Sequence, residues 1–181
     1  MKRLLLLVLL GLSLAACGDD SPAPAPSTTT PPPPQPLQLA GIWTMTETRT
    51  SVTGGECLEG TMNATVGSTV TDTLTFTQNS ASLTAVSTAQ ANGVSCNWTG
   101  TADTDRFVLN LSFCQNNANQ FGLRCANGQV RDLRIASSLL SIVRSNGSYT
   151  GTKVDTYNVV PGGGFTQVGT MTFNANVSMT K

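Results

Sequence analysis

The sequence predicts an all-β domain over residues 39–181, an eight-stranded antiparallel up-and-down barrel, with a β-sandwich as the alternative. Two observations predict this class. Segments such as residues 70–77, 106–113 and 171–179 alternate apolar side chains with Thr, Asn or Ser, which is the period of a half-buried strand. No segment after the first sixteen residues shows a helical period. Regularly spaced strands without helices are typical of a small barrel or sandwich.

The alternation places eight strands. We predict them at residues 42–50, 70–77, 82–88, 94–101, 106–113, 130–144, 148–158 and 166–180. The second, fourth and sixth strands end in tight turns, such as the turn at Asn146-Gly147. The links after the other strands are mostly longer, at residues 51–69, 89–93, 114–129 and 159–164. Alternate links lie at opposite ends of a meander. One end, the turn end, therefore carries the tight turns, and the other, the loop end, carries the longer links.

An export signal precedes this domain. Lys2 and Arg3 are followed by an apolar run over residues 4–14, which is too short to cross a bilayer core of about 30 Å. The run ends in Leu14-Ala15-Ala16-Cys17, which resembles the lipobox of bacterial lipoproteins. This resemblance implies that residues 1–16 are a signal peptide and that Cys17 is acylated and becomes the N-terminus. We therefore expect a lipid anchor in the bacterial cell envelope.

The residues after the anchor predict a linker and the membrane in which the protein is anchored. Gly18 stands where an aspartate would resemble an inner-membrane retention signal, which favours the outer membrane. Residues 17–38 are rich in Pro, Ser and Thr, and we expect a disordered linker of polyproline type. Without Lys2 and Arg3 the mature chain has eight basic and ten acidic residues, a net charge near −2. This balance predicts no nucleic-acid partner.

Gly41-Ile42-Trp43 opens the first strand and resembles the Gly-x-Trp that begins the barrel of the calycin group, which includes the lipocalins. The resemblance implies an eight-stranded barrel that is closed where this Trp packs and that binds a small apolar molecule at the other end. We expect Trp43 to be a core aromatic at the closed end, with ligand contact as the alternative.

Four cysteines remain in the predicted exported domain: Cys57, Cys96, Cys114 and Cys125. In an oxidising compartment they predict two disulfides, for which three connectivities can be drawn. The chain has no histidine and no C-x-x-C pair, so we expect no metal site.

Hairpin register selects a pairing. A turn at Asp103-Thr104 would set Cys96 opposite Leu111 with both facing inward. Phe113 would then face inward and Cys114 outward, free to close its own loop. We therefore predict the disulfides Cys114–Cys125 and Cys57–Cys96.

Charged side chains share the inner face with apolar ones. Glu47, Arg49 and Asp72 lie at inward positions of the first two strands, and Lys153 and Asp155 lie on the seventh. A polar layer over an apolar floor suits an amphipathic ligand. The residues predicted to bind it are Trp43, Glu47, Arg49, Asp72, Trp98, Lys153 and Tyr157. The alternative is that the charged groups pair with one another or reach solvent at the rim.

Catalytic motifs are absent from the sequence. There is no histidine for acid–base chemistry, no nucleophile elbow and no phosphate-binding loop. We expect a protein that is not an enzyme and needs no cofactor. The predicted function is an envelope lipoprotein whose barrel binds a small apolar or amphipathic ligand at the loop end. The alternative is a structural or protein-interaction module that uses the distal loops to contact an envelope protein.

Overall fold

Nine antiparallel strands lie in the described part of the chain in the computed structural model. The structure describes residues 32–89, 95–115 and 120–181. Four side chains within these ranges are not described: Glu56, Glu59, Gln120 and Phe121. The predicted signal peptide, Cys17 and the linker as far as residue 31 lie outside the described residues. Within the described residues, no helix is long and apolar enough to cross a membrane.

The strands follow the chain with few helical interruptions. They are β1 Gly41–Gly54, β2 Thr69–Asn79, β3 Ser82–Ala89, β4 Ser95–Ala102, β5 Arg106–Cys114, β6 Gln120–Arg124, β7 Val130–Ser145, β8 Ser148–Pro161 and β9 Gly169–Thr180. A 3₁₀ turn, Glu56–Leu58, and a short helix α1, Glu59–Asn63, lie in the link between β1 and β2.

Eight of the strands close into a barrel. Their order is β5-β4-β3-β2-β1-β9-β8-β7, and β5 pairs with β7 to complete the ring. The first and last strands pair antiparallel, from Thr44 opposite Thr180 to Gly54 opposite Met171. The predicted closed eight-stranded antiparallel barrel is thus confirmed, and it is consistent with a lipocalin-like barrel. Closure removes the free sheet edges of an open sheet from these strands.

The ninth strand, β6, was not predicted. It lies in the link expected at residues 114–129 and pairs with the start of β7, from Arg124 opposite Val130 to Gln120 opposite Arg134. β5 pairs with the other half of β7, so both strands use the same edge of β7 in succession. β6 carries only a short, weakly alternating sequence. It forms because the long strand β7 extends beyond the ring and offers an unpaired edge.

The inner and outer faces follow the alternation. The outer face of β1 and β2 is a ladder of threonines, with Thr44 opposite Thr73 and Thr46 opposite Thr71. The inner face of the turn-end half is apolar and forms one cluster with a large aromatic content. We call it the floor cluster, and its most buried members include Leu39, Met45, Leu74, Phe107, Leu109, Leu140 and Ile142.

The segment before β1 closes the turn end. Leu37 and Leu39 are buried in the floor cluster, and their backbone is fixed by hydrogen bonds to the neighbouring turns. The Leu37 amide donates to the Asp103 carbonyl at 2.7 Å, and the Leu39 amide donates to Oε1 of Gln78 at 2.7 Å. These bonds pair backbone amides that would otherwise be buried without a partner, so this extended segment can cover the turn end of the barrel.

A second apolar cluster fills part of the loop end. This cluster, the plug cluster, joins the link after β1 to the upper parts of the longer strands. Its buried members are Val52, Leu58, Met62, Cys125, Leu133, Val159, Met171 and Phe173. The predicted polar upper layer implied that the charged residues lie at an open loop end. The plug cluster instead covers part of this end. The charged side chains of Glu47, Arg49, Asp72, Lys153 and Asp155, which we call the charged layer, lie between the two apolar clusters.

Three register shifts change which residues face inward. They follow Arg49 in β1, Ile135 in β7 and Leu111 in β5, where Thr50, Ala136 and Ser112 are the extra residues. Each extra residue reverses the inward–outward alternation beyond it. Val52, for example, faces inward three residues after inward Arg49, which brings it into the plug cluster.

Candidate functional site

Both disulfides form, but the predicted pairing is wrong. The structure joins Cys96 to Cys114 and Cys57 to Cys125. Cys96 and Cys114 are direct cross-strand partners on β4 and β5, with Cα atoms 4.0 Å apart. The four cysteines are disulfide-bonded as expected, and the correction concerns which partner each one takes.

The bulge at Ser112 explains the first disulfide. Ala102 pairs with Phe107, so the hairpin is wider than the predicted turn, and Trp98 pairs with Leu111. The extra residue then turns Phe113 outward, where it is 58% exposed, and brings Cys114 level with Cys96. Sequence alternation alone could not show this, because one inserted residue exchanges the two faces.

The second disulfide fixes the plug. Cys57 lies in the 3₁₀ turn after β1, and Cys125 follows β6, with Cα atoms 5.3 Å apart. Cys125 is buried in the plug cluster, against which Cys57 also packs. β6 carries Cys125 over the barrel towards Cys57, and this strand was missing from the prediction that paired Cys125 with Cys114.

Lys153 is the centre of the charged layer. Its Nζ lies 2.8 Å from Oε1 of Glu47 and 3.3 Å from Oδ2 of Asp155. The side chains of Lys153, Glu47 and Asp155 are only 12%, 8% and 15% exposed. The predicted alternative, in which charged groups pair with one another, therefore holds for these three residues.

Hydroxyl groups and an aromatic ring complete this network. The Ser138 hydroxyl donates to Oδ1 of Asp155, and Nε1 of Trp98 donates to Oγ of Ser87 at 2.9 Å. Nζ of Lys153 lies 5.8 Å from the centre of the Trp98 ring, which allows a cation–π interaction. Ser87 and Ser138 were not among the predicted site residues. Ser138 lies two residues before buried Leu140 and shares its inner face, and the bulge at Ala136 also turns Ile135 inward, where it lines the cavity described below.

Burial and charge set the ionisation of the layer. Burial raises the pKa of the Glu47 carboxyl, although Lys153 opposes this shift. Burial alone would lower the pKa of the Lys153 ammonium, but Asp155 and Glu47 outweigh it and raise that pKa well above its ordinary value. Burial and the charge of Asp155 likewise raise the pKa of the Tyr157 hydroxyl. Lys153 is therefore a permanent cation, and Tyr157 stays neutral, across the physiological pH range.

A cavity of about 110 Å³ lies beside this layer. Four of the predicted ligand-binding residues line it: Asp72, Trp98, Lys153 and Tyr157. Its apolar wall includes Leu111, Ala89 and the Cys96–Cys114 disulfide. Ala89 ends β3, Ser95 begins β4 and Cys114 ends β5, so the cavity lies towards the loop end on the side where the strands are shortest.

The other predicted ligand-binding residues lie elsewhere. Glu47 and Arg49 line a smaller cavity of about 30 Å³, which also borders Lys153. The Arg49 guanidinium donates to the Thr65 hydroxyl and stacks 4.4 Å from the centre of the Phe173 ring, so it supports the link after α1.

Trp43 lies in the floor cluster and lines neither of these two cavities. Its Nε1 donates to the Leu39 carbonyl at 2.7 Å, and its ring meets Tyr149 edge-on with centroids 4.8 Å apart. This position agrees with the expected core aromatic at the closed end.

The chain matches no model of a known protein family, no curated protein and no solved structure significantly. Among the residues that the structure describes, no cluster of three or more His, Cys, Asp or Glu side chains could hold a metal ion. The arrangement that is present, a buried ion cluster facing an apolar wall across a small cavity, can bind and orient a small amphipathic molecule.

Proposed function

We propose that this chain is a lipid-anchored envelope lipoprotein, placed in the outer membrane, whose barrel is a non-enzymatic binding protein for a small amphipathic ligand. The cavity beside Lys153 carries the proposal, because it joins charged groups and an apolar wall inside a closed barrel. Its volume is below that of an engineered cavity of about 150 Å³ that binds benzene. The proposed ligand is therefore a small molecule.

The envelope location rests on the sequence and on the disulfides. The Leu-Ala-Ala-Cys motif at Cys17 and the apolar run before it support export and acylation. Two disulfides in a domain of this size support an oxidising compartment. The proline-rich residues 18–36 would hold the barrel away from the lipid surface.

The anchor is tested by replacing Cys17 with Ser. We expect the variant to leave the washed membrane fraction almost completely, because acyl chains contribute about 0.8 kcal/mol per buried methylene and serine accepts none. The measurement is an immunoblot of pellet and supernatant after a high-salt wash. Ser21→Ala, four residues further along the linker, is the matched control and should stay in the pellet. Retention of the Cys17→Ser variant at the wild-type level would contradict the anchor.

The ligand is tested by native mass spectrometry of the protein released from its own membrane. We expect a low-mass molecule on the wild type that is lost from Ala89→Leu, because leucine would fill the apolar side of the cavity. Ala81→Leu, on the exposed turn between β2 and β3, is the control and should keep the molecule. If the wild type and the control carry no such molecule, the cavity is not a ligand site.

A second candidate function is an interaction module that uses the distal loops. Phe165, in the link after β8, is 86% exposed, and the Arg134 guanidinium lies 5.0 Å from its ring centre. Nη2 of Arg134 also donates to the Gly164 carbonyl at 2.8 Å, which holds this link in place. An exposed aromatic beside an arginine is a composition that protein interfaces favour. A protein partner retained in the same mass spectra, in place of a small molecule, would favour this function.

A further inference from the structure

The charged layer contains an excess of negative charge. Three carboxylates belong to it, those of Glu47, Asp72 and Asp155, against the two cations Arg49 and Lys153. Arg49 turns towards Thr65 and the Phe173 ring, so Lys153 is the cation that neutralises the carboxylates around the larger cavity.

Asp72 is the carboxylate left over. Lys153 pairs with Glu47 and Asp155, and Asp155 also accepts the hydrogen bond of Ser138. Among the described residues, the side chain of Asp72 makes no hydrogen bond or ion pair, and Lys153 acts on it only through its charge. This carboxylate is partly buried and lines the cavity. Burial raises the pKa of Asp72, the charge of Lys153 opposes this shift only in part, and the charge of Asp155 adds to it.

From this juxtaposition we propose that the cavity binds a small organic monocation, a protonated primary amine with a short apolar body, whose ammonium group pairs with Asp72. The inference rests on the proposed function and gives its ligand a chemical class. An ammonium group would supply the missing charge and hydrogen-bond donors, and such charge-assisted bonds are the stronger ones. The apolar body would contact Leu111, the Trp98 ring and the Cys96–Cys114 disulfide.

Other ligand charges fit the cavity less well. An anion would face Asp72, and the Lys153 ammonium that could attract it already lies between two carboxylates. A metal ion would leave the apolar wall, formed by Leu111, Ala89 and the Cys96–Cys114 disulfide, without a partner. The volume accommodates about six non-hydrogen atoms, by comparison with benzene in a somewhat larger cavity.

The test compares three probes of equal length on the lipidated protein in detergent: n-butylammonium, n-butanol and butyrate. Isothermal titration calorimetry at neutral pH gives the three affinities, with protein-free micelles as the blank. We expect n-butylammonium to bind at least about tenfold more tightly than n-butanol, and butyrate to bind most weakly. Asp72→Asn should remove this preference and leave the affinity for n-butanol unchanged. Asp105→Asn, an exposed carboxylate at the turn end, should preserve the preference.

The outcomes separate this inference from the function it rests on. If n-butanol or butyrate binds as well as n-butylammonium, or if Asp72→Asn keeps the preference, the cavity is a ligand site but the monocation assignment is wrong. If all three probes fail to bind the wild type, both the assignment and the proposed ligand site are wrong. The comparison of probes on the wild type needs no variant, so it decides the question even if Asp72→Asn does not fold.

Discussion

Replacing Lys153 with methionine is expected to destabilise the barrel by about 3–5 kcal/mol, the usual cost of removing one partner from a buried ion cluster. Methionine keeps the length of the side chain but leaves Glu47 and Asp155 buried without their counter-charge. The measurement is the free energy of unfolding from guanidinium titrations, compared with the wild type. Lys181→Met, at an exposed lysine near the chain end, is the control and should change stability by less than about 1 kcal/mol.

The pH dependence identifies the cause of this loss. A buried carboxyl whose pKa is raised favours the folded state at low pH, and this contribution is lost as pH rises through the raised pKa. The pKa of Glu47 is already raised in the wild type, and removal of Lys153 should raise it further. The deficit of Lys153→Met should therefore shrink as the pH falls from 7 towards about 4. A deficit that is constant over this range would indicate lost packing instead.

Removing the Cys57–Cys125 disulfide by a double alanine substitution should cost about 4 kcal/mol, because its 68-residue separation constrains much of the unfolded chain. The Cys96–Cys114 bond, with a separation of 18, should cost about 3 kcal/mol by the same relation. Guanidinium unfolding of the two double variants provides the comparison. The second variant is the matched control, because it removes the same kind of bond from the same barrel.

A loss below about 1 kcal/mol for the Cys57 and Cys125 variant would contradict the role given to this bond. Peptide mapping of the oxidised wild type provides a direct check of the pairing itself. A cross-linked peptide that contains Cys57 and Cys96, the pairing expected from the sequence, would overturn the structural assignment.

The regular parts of the fold could be predicted from the sequence because alternation is a local property. The period of two placed β2 and β5 within two residues, and the Asn146-Gly147 pair marked the turn that the structure shows with positive φ at both residues. The same period correctly placed Glu47 and Lys153 on the inner face. It gave no information on which charged groups pair, because that depends on strand neighbours far apart in the chain.

The remaining features depend on irregularities that alternation does not reveal. A wider turn between β4 and β5 and one extra residue, Ser112, together brought Cys114 level with Cys96, and the extra residue turned Phe113 outward. β6 forms because it pairs with the half of β7 that extends beyond the ring. This pairing depends on tertiary structure and not on the local sequence of β6. The plug cluster draws Leu58 and Met62 from a link that the sequence marks only by its length. The volume of the cavity depends on the bulge, on β6 and on the plug cluster together, so it could not be predicted from the sequence.

The closing seam of the barrel has a consequence for motion. β5 and β7 pair only from Arg106 opposite Val143 to Asn110 opposite Leu139, whereas β7 and β8 pair along nearly their whole lengths. Backbone amides exchange fastest where the fewest hydrogen bonds must break together. Within the ring, we therefore expect local opening, and the fastest amide hydrogen exchange, at the short joint between β5 and β7. β5 also carries Leu111 and Cys114 of the cavity wall. Opening of this joint would offer the proposed ligand a lateral route to the cavity, separate from the plug cluster that the Cys57–Cys125 disulfide holds.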